Sequence, residues 1–143
     1  MKYRFLPDIA TADLAYEAFG RDYDELFENA GLVLESAMVD VESLEAKDVK
    51  TFKLEGKTSE DLLHSFLEEL VFLKDAEQLL FNEILCKVNE GNKQWFLEGT
   101  LAGEKIDRNK HKLGVDVKAV TKHLFKIEKL RDKTLRCQVI LDV

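Results

Sequence analysis

Two cysteines, Cys86 and Cys137, are all the thiol chemistry this 143-residue chain offers. Both lie inside apolar alternating stretches, with neither CxxC spacing nor a histidine at ligand distance. That pattern argues against a disulfide or a metal pair and predicts two buried free thiols in a reducing compartment. Equally missing are GxxxxGK[ST], GxGxxG, GxSxG and HExxH, which argues against a self-contained nucleotide-hydrolysing or zinc enzyme. No apolar run approaches the roughly 20 residues needed to span a bilayer. Met1-Lys2-Tyr3-Arg4 leads into too short an apolar stretch for a signal peptide, so cytoplasmic residence without membrane contact is expected. There is no internal repeat, low-complexity tract or linker. The single proline, Pro7, only marks a break near the start. One domain, 1–143, is expected, large enough to bury a core without staples.

What the chain has in excess is negative charge, unevenly distributed. The net charge is −7. Residues 1–103 carry 10 Lys/Arg against 22 Asp/Glu, and residues 104–136 carry 11 Lys/Arg against 5 Asp/Glu. An acidic body with a basic C-terminal third can meet phosphates or an acidic partner there. A plain nucleic-acid binder is usually basic overall, with aromatics among its cations.

Periodicity gives the elements. Phe5 to Phe19 reads as extended, with a break at Pro7-Asp8 and Gly20 as its stop. Tyr23, Leu26, Phe27, Ala30, Val33, Leu34 and Ala37 recur at helical spacing, behind Asp22 and Glu25 as a capping-box-like start. Gly31 costs that helix about 1 kcal/mol relative to Ala, which suggests a close neighbour. A strand over Val49–Leu54 follows. Thr58-Ser59-Glu60-Asp61 opens a second helix whose apolar face runs from Leu62 to Leu73. Leu79–Asn89 and Trp95–Glu104 form a hairpin, with Ile84, Cys86 and Val88 facing the same way as Leu97, Gly99 and Leu101. A charged loop spans 103–114. Val117–Ile127 and Leu135–Val143 then alternate with period two about the polar connection 129–133, as a closing hairpin. The fold class is α+β: two amphipathic helices packed on a mostly antiparallel β-sheet.

The residues with most chemical potential are Asp13, near the first strand, and Asp142 and Val143, in the last. Carboxylates held together suit a hard divalent cation. On spacing alone, two solvated strand acids are the simpler reading. His123 interrupts an apolar face between Thr121 and Phe125, as a satisfied core histidine would. His111 reads as solvated in its charged loop, and His64 as a helix-edge residue. Lys118, Lys122 and Lys126 share a strand face, ordinarily a solvated one, that can also meet phosphate or an acidic partner.

Taken in order, Thr11-Ala12-Asp13, Val39-Asp40-Val41, the Leu62–Leu73 helix followed by Asp75-Ala76-Glu77, and Gly103-Glu104 before the His111 loop form a series. It continues with Val117-Lys118-Ala119-Val120-Thr121-Lys122-His123 and ends with Val139-Ile140-Leu141-Asp142-Val143. Over essentially its whole length this series resembles the archease family, with Ala10 standing where the family usually has His and Lys122 where it has an aromatic. The resemblance implies a strand-helix-strand-strand module with an added antiparallel sheet. It further implies a non-catalytic accessory protein that activates the tRNA-splicing RNA ligase, promoting its guanylylation and turnover and broadening its nucleotide use. Contact with tRNA and nucleotide would be indirect. By the same resemblance Asp13, Asp142 and Val143 would hold a divalent metal, Ca²⁺ with Mg²⁺ or Mn²⁺ as alternatives, and Lys118 and His123 are candidate partner contacts. The other family reading is a general chaperone or modulator of nucleic-acid-processing proteins.

Overall fold

The computed structural model describes residues 2–6 and 13–143. Its strands divide between two antiparallel sheets. In chain order the elements are β1 (Tyr3–Phe5), β2 (Leu14–Gly20), α1 (Tyr23–Met38), β3 (Asp48–Gly56), α2 (Ser59–Glu77), β4 (Leu79–Glu90), β5 (Trp95–Lys105), β6 (Ala119–Val120), β7 (Lys126–Lys129) and β8 (Leu135–Asp142), with a short 3₁₀ turn at Val41–Ser43. One sheet has β3-β5-β4 order. The other runs β1-β2-β8, and β6 and β7 share the far side of β8. The α+β class with two helices on mostly antiparallel pairing is therefore as expected.

Both helices form a middle layer between the sheets. The sequence sets this up by giving each helix an apolar face broad enough to touch two neighbours. Helix α1 buries Leu26, Phe27, Ala30, Val33, Leu34 and Met38. Helix α2 buries Leu62, Leu63, Phe66, Leu67, Leu70 and Val71. Phe66 is stacked between Phe27 and Phe52 at ring-centroid distances of 6.1 and 5.5 Å, which ties both helices to the three-stranded sheet. From the five-stranded sheet come Tyr16, Ala18, Cys137, Val139 and Leu141. The Tyr16 hydroxyl donates to the Ala30 carbonyl of α1 at 3.1 Å. Both cysteines are free and buried, and burial pushes the Cys137 thiol up to about 12.

The helix starts behave as their residues require. Asp22 accepts from the Glu25 N–H at 2.9 Å, but Glu25 reaches back to the Arg21 N–H rather than to its own cap. Thr58 accepts from the Asp61 N–H at 3.0 Å. At Gly31 a Cβ would lie 2.8 Å from Ile84 Cδ1 and 3.1 Å from the Phe66 ring, so the glycine is where β4 and α2 press on α1.

Several expectations are corrected. The stretch from Phe5 to Phe19 is not one extended segment: β1 and β2 pair with each other, Tyr3 opposite Ala18 and Phe5 opposite Tyr16. Ala10, Thr11 and Ala12 lie outside the described residues. The penultimate strand is interrupted. β6 pairs with β8 through Ala119↔Asp142, and β7 through Ile127↔Cys137. The chain between them takes up three extra residues in a turn where Leu124 adopts φ 54°. The alternation of 117–127 survives such an excursion, so sequence alone read it as continuous. His123 consequently sits exposed in the turn, not on an apolar face. The loop also begins later than expected, because β5 carries Gly103 and Glu104 as paired strand residues opposite β3 and β4.

Candidate functional site

The Asp13–Asp142 end is built by strand register. β2 and β8 pair from Gly20↔Leu135 to Leu14↔Leu141, with the inward members of each pair in the core. A one-residue slip would turn every core side chain outward, so the register is firmly set. Carried one step past Leu14↔Leu141, it brings Asp13 opposite Asp142. Both are exposed, and neither makes a side-chain hydrogen bond or ion pair among the described residues. On the other flank of β8 the Lys118 N–H donates to the Asp142 carbonyl at 2.8 Å. Val143 is half-buried against the core, which anchors the end of the strand. The donor set is all oxygen, the kind hard divalent cations take. Among the described residues no cluster of three or more His, Cys, Asp or Glu is arranged for a metal. The two carboxylates would therefore need main-chain or α-carboxylate oxygens, or water, to complete a shell.

Two other polar clusters, around Glu104 and around Lys74, are saturated. Glu104, read from sequence only as part of a motif, accepts from the Glu45 N–H at 2.9 Å, from His111 Nε2 at 2.8 Å and from Lys110 Nζ at 3.0 Å. The His111 bond and its other donors pull its carboxyl down to about 2. His111 is buried, contrary to the solvated placement expected for it. The Asp107 N–H donates to His111 Nδ1 at 2.9 Å, so Nδ1 is the acceptor and Nε2 carries the proton given to Glu104. With both ring nitrogens occupied, the imidazole pins the 106–112 loop and has no lone pair for a substrate. The spacing Asp107-x-x-x-His111 was the available signal for this turn.

Lys74 is similarly satisfied. Its ammonium reaches Asp116 at 2.6 Å, the Val117 carbonyl at 2.6 Å and Asp75 at 2.8 Å, using three donors for three partners. Burial works against the charge, but the carboxylates outweigh it and the pKa is raised. His64 is at the helix edge as expected, with Nε2 2.7 Å from the Val120 carbonyl. A carbonyl only accepts, so that nitrogen bears the proton.

Lys118, Lys122, His123 and Lys126 are all exposed along the β6–β7 edge, but the three lysines do not share a strand face as expected: Lys122 lies between the strands, and the three extra residues there reverse the alternation between β6 and β7. Lys118 and the tip acid Asp142 meet through the main chain, while His123 lies further along, past β6. No helix among the described residues is long and apolar enough to cross a membrane.

Comparison with known proteins places this geometry. Residues 3–143 match the model of the Archease protein family (MTH1598/TM1083). The chain is 37% identical to protein archease of Pyrococcus abyssi over 93% of its own length and 94% of the relative's. It is 35% identical to protein archease of Archaeoglobus fulgidus over the whole of both chains. The solution structure of Methanobacterium thermoautotrophicum protein 1598 superposes with a TM-score of 0.86 at 34% identity, covering 99% of this chain and 98% of that one.

Proposed function

The chain belongs to the archease family, and from that premise we propose that it is a non-catalytic accessory protein of RNA processing. Specifically, it activates the tRNA-splicing RNA ligase, promoting guanylylation and multiple turnover and broadening nucleotide use. The observation that carries the reading is the β2–β8 register, which sets two unpaired exposed carboxylates, Asp13 and Asp142, at one end of a sheet. With oxygens of Val143 these residues would hold a divalent cation, Ca²⁺ in the first instance. A cation bound there supplies positive charge for orienting nucleotide phosphates in the partner's active site. The protein's own part is to hold the carboxylates on a strand pair stiff enough to present them. The saturation of Glu104, His111 and Lys74 supports an accessory rather than a catalytic role, since none of them is free to act as base or nucleophile.

A multiple-turnover ligation assay with the cognate ligase and substoichiometric protein tests this. Wild type should stimulate turnover and Asp13→Ala should not. Equal stimulation by both would remove the metal tip from the mechanism, and no stimulation by wild type would remove the ligase reading.

A second reading, general chaperone or modulator of nucleic-acid-processing proteins, is favoured by the outward face of the three-stranded sheet. Val49 is 63% exposed there and Leu85 68%. It predicts that aggregation of unrelated clients is suppressed equally well by an Asp13→Ala, Asp142→Ala variant.

A further inference from the structure

Of the cations of the C-terminal third, Lys110 pairs with Glu45 and Glu104, and Arg136 with Glu17 and Glu128. Lys105, Arg108 and Lys112, at the end of β5 and in the loop after it, are exposed without an ion pair among the described residues, and so are those along the β6–β7 side of β8. Lys118, Lys122, Lys126, Lys129, Arg131 and Lys133 are exposed and form no ion pair among the described residues. The chain has more acids than bases, so this lack of partners does not come from a shortage of carboxylates.

Topology puts these residues along one edge of the sheet, with Lys126 and Lys129, three apart on β7, on its opposite faces. β7 lies against β8 from Lys129↔Leu135 to Lys126↔Gln138, and β6 from Val120↔Leu141 to Ala119↔Asp142. From Leu135 to Asp142 is seven strand steps, roughly 23 Å at about 3.3 Å each. The main-chain groups of this edge are in part already occupied by α2, with Glu60 accepting from the Ile127 N–H at 2.8 Å and His64 on the Val120 carbonyl. Those main-chain groups are not available to another strand, and what the edge offers besides is charge. In its middle the turn exposes His123 and Leu124, the latter to 51%.

We propose that this edge binds the phosphodiester backbone of a single-stranded nucleic acid, with Lys118, Lys122, Lys126 and Lys129 on phosphates and the His123 ring against a base. Lysine is a compact charge on a flexible stem, suited to phosphates and depleted from protein–protein interfaces. The strip has no buried aromatic or arginine anchor of the kind that carries a protein contact. An edge one strand wide, with cations on both of its faces, tracks one strand better than it spans a duplex, and one exposed ring provides a base platform. Because the strip ends at Lys118, whose N–H holds the Asp142 carbonyl, a bound strand runs toward the Asp13–Asp142 end of the sheet. The inference rests on charge placement and not on the ligase reading, and it is tested on the isolated protein.

The experiment is fluorescence anisotropy with a 5′-labelled oligouridylate, titrated at several salt concentrations. For four phosphates engaged, log K should fall against log salt with a slope of about −3. The variant Lys118→Gln, Lys122→Gln, Lys126→Gln, Lys129→Gln should bind at least tenfold more weakly and lose most of that slope. A variant with the same change in net charge on the other sheet and its turns, Lys53→Gln, Lys57→Gln, Lys87→Gln, Lys93→Gln, should bind like wild type. All eight lysines are exposed, so circular dichroism should show both variants folded. No saturable binding at the lowest salt would overturn the proposal. So would equal loss in the two variants, a duplex bound as tightly as the single strand, or displacement by polyglutamate as effective as by unlabelled oligouridylate.

Discussion

The two helices shield the same kind of feature, an open sheet edge, with different chemistry. Helix α1 lies along β4, one of the two edge strands of the three-stranded sheet, and shields it with carboxylates. Asp24 accepts from the Val88 N–H at 2.7 Å, Glu28 from the Cys86 N–H at 2.9 Å and Glu35 from the Phe81 N–H at 2.9 Å. Helix α2 lies along the β6–β7 edge and uses an acid, an imidazole and an ammonium: Glu60 on the Ile127 N–H, His64 on the Val120 carbonyl and Lys74 on the Val117 carbonyl. Both sets follow one helical stripe, 24, 28, 31, 35 in α1 and 60, 64, 67, 71, 74 in α2. Along β4 the stripe is acidic and engages N–H groups. Along β6–β7 it is mixed and engages an N–H and two carbonyls. An unpaired sheet edge invites association with another chain, and here the helices that fill the core also close the edge.

The sharpest break of this comparison is at Lys74, the stripe's buried cation. Lys74→Met keeps the stem and removes the donors, leaving the Val117 carbonyl unpaired and Asp116 without its partner. Hydrogen bonds to charged groups contribute about 1.5–3 kcal/mol each, and Asp116 is well exposed, so a loss of about 3 kcal/mol is expected. Urea denaturation measures it; a loss below about 1 kcal/mol would show that solvent replaces the ammonium at little cost.

Glu35 sharpens the comparison on the α1 side, because it is the one acid of that stripe wholly out of water. Burial drives its carboxyl up to about 8, against the opposing effects of the Phe81 N–H and Lys74. Unfolded, it ionises near its ordinary 4.5. Between those values the folded chain holds the extra proton, so this group's contribution to stability is greatest below 4.5 and is lost as pH rises toward 8. Glu104 has the opposite sign: its pKa of about 2 makes it stabilising above 4.5, and that contribution is lost as pH falls toward 2. Glu35→Gln keeps an acceptor for the Phe81 N–H and cannot ionise, so denaturation midpoints between pH 5 and 8 should flatten relative to wild type. Glu35→Leu should cost about 2 kcal/mol through the orphaned N–H. An unchanged pH profile in Glu35→Gln would mean the wild-type carboxyl is not protonated in the fold.

His64 is the milder break. His64→Leu fills similar space but leaves the Val120 carbonyl unpaired, at a cost of about 1 kcal/mol by urea denaturation. An unchanged midpoint would mean that solvent serves the carbonyl equally well.

Much of this organisation was legible in the sequence, and the illegible part has a common cause. Apolar periodicity located both helices, and the alternation of β4, β5 and β8 gave their inward faces, because burial imposes a period on side chains. The Asp13–Asp142 juxtaposition followed from no local pattern, since it depends on β2 and β8 pairing across the length of the chain. The edge stripes were missed because an acid beside an apolar face looks solvated. Asp24, Glu28 and Glu35 differ from an outer-face acid only in being in phase with Gly31, which faces the strand. His111 failed in the reverse direction, because a charged loop hides a residue whose partner, Glu104, belongs to the preceding strand.

The smallest effect expected on stability carries the most direct test of edge protection. Asp24 and Glu28 are less buried than Glu35, and each accepts a single N–H that solvent can reach once the side chain is gone. Asp24→Ala with Glu28→Ala should therefore shift the urea midpoint by about 1 kcal/mol or less. The exposed donors of Val88 and Cys86 would then lie on the same strand as Leu85, which is already 68% exposed. Such an edge is a template for another strand, so the double variant should self-associate at concentrations where wild type does not. Light scattering across a concentration series distinguishes the outcomes. Self-association with little loss of stability would show that these two carboxylates guard the edge, whereas a monodisperse variant with a large loss would show that they hold α1 to the sheet.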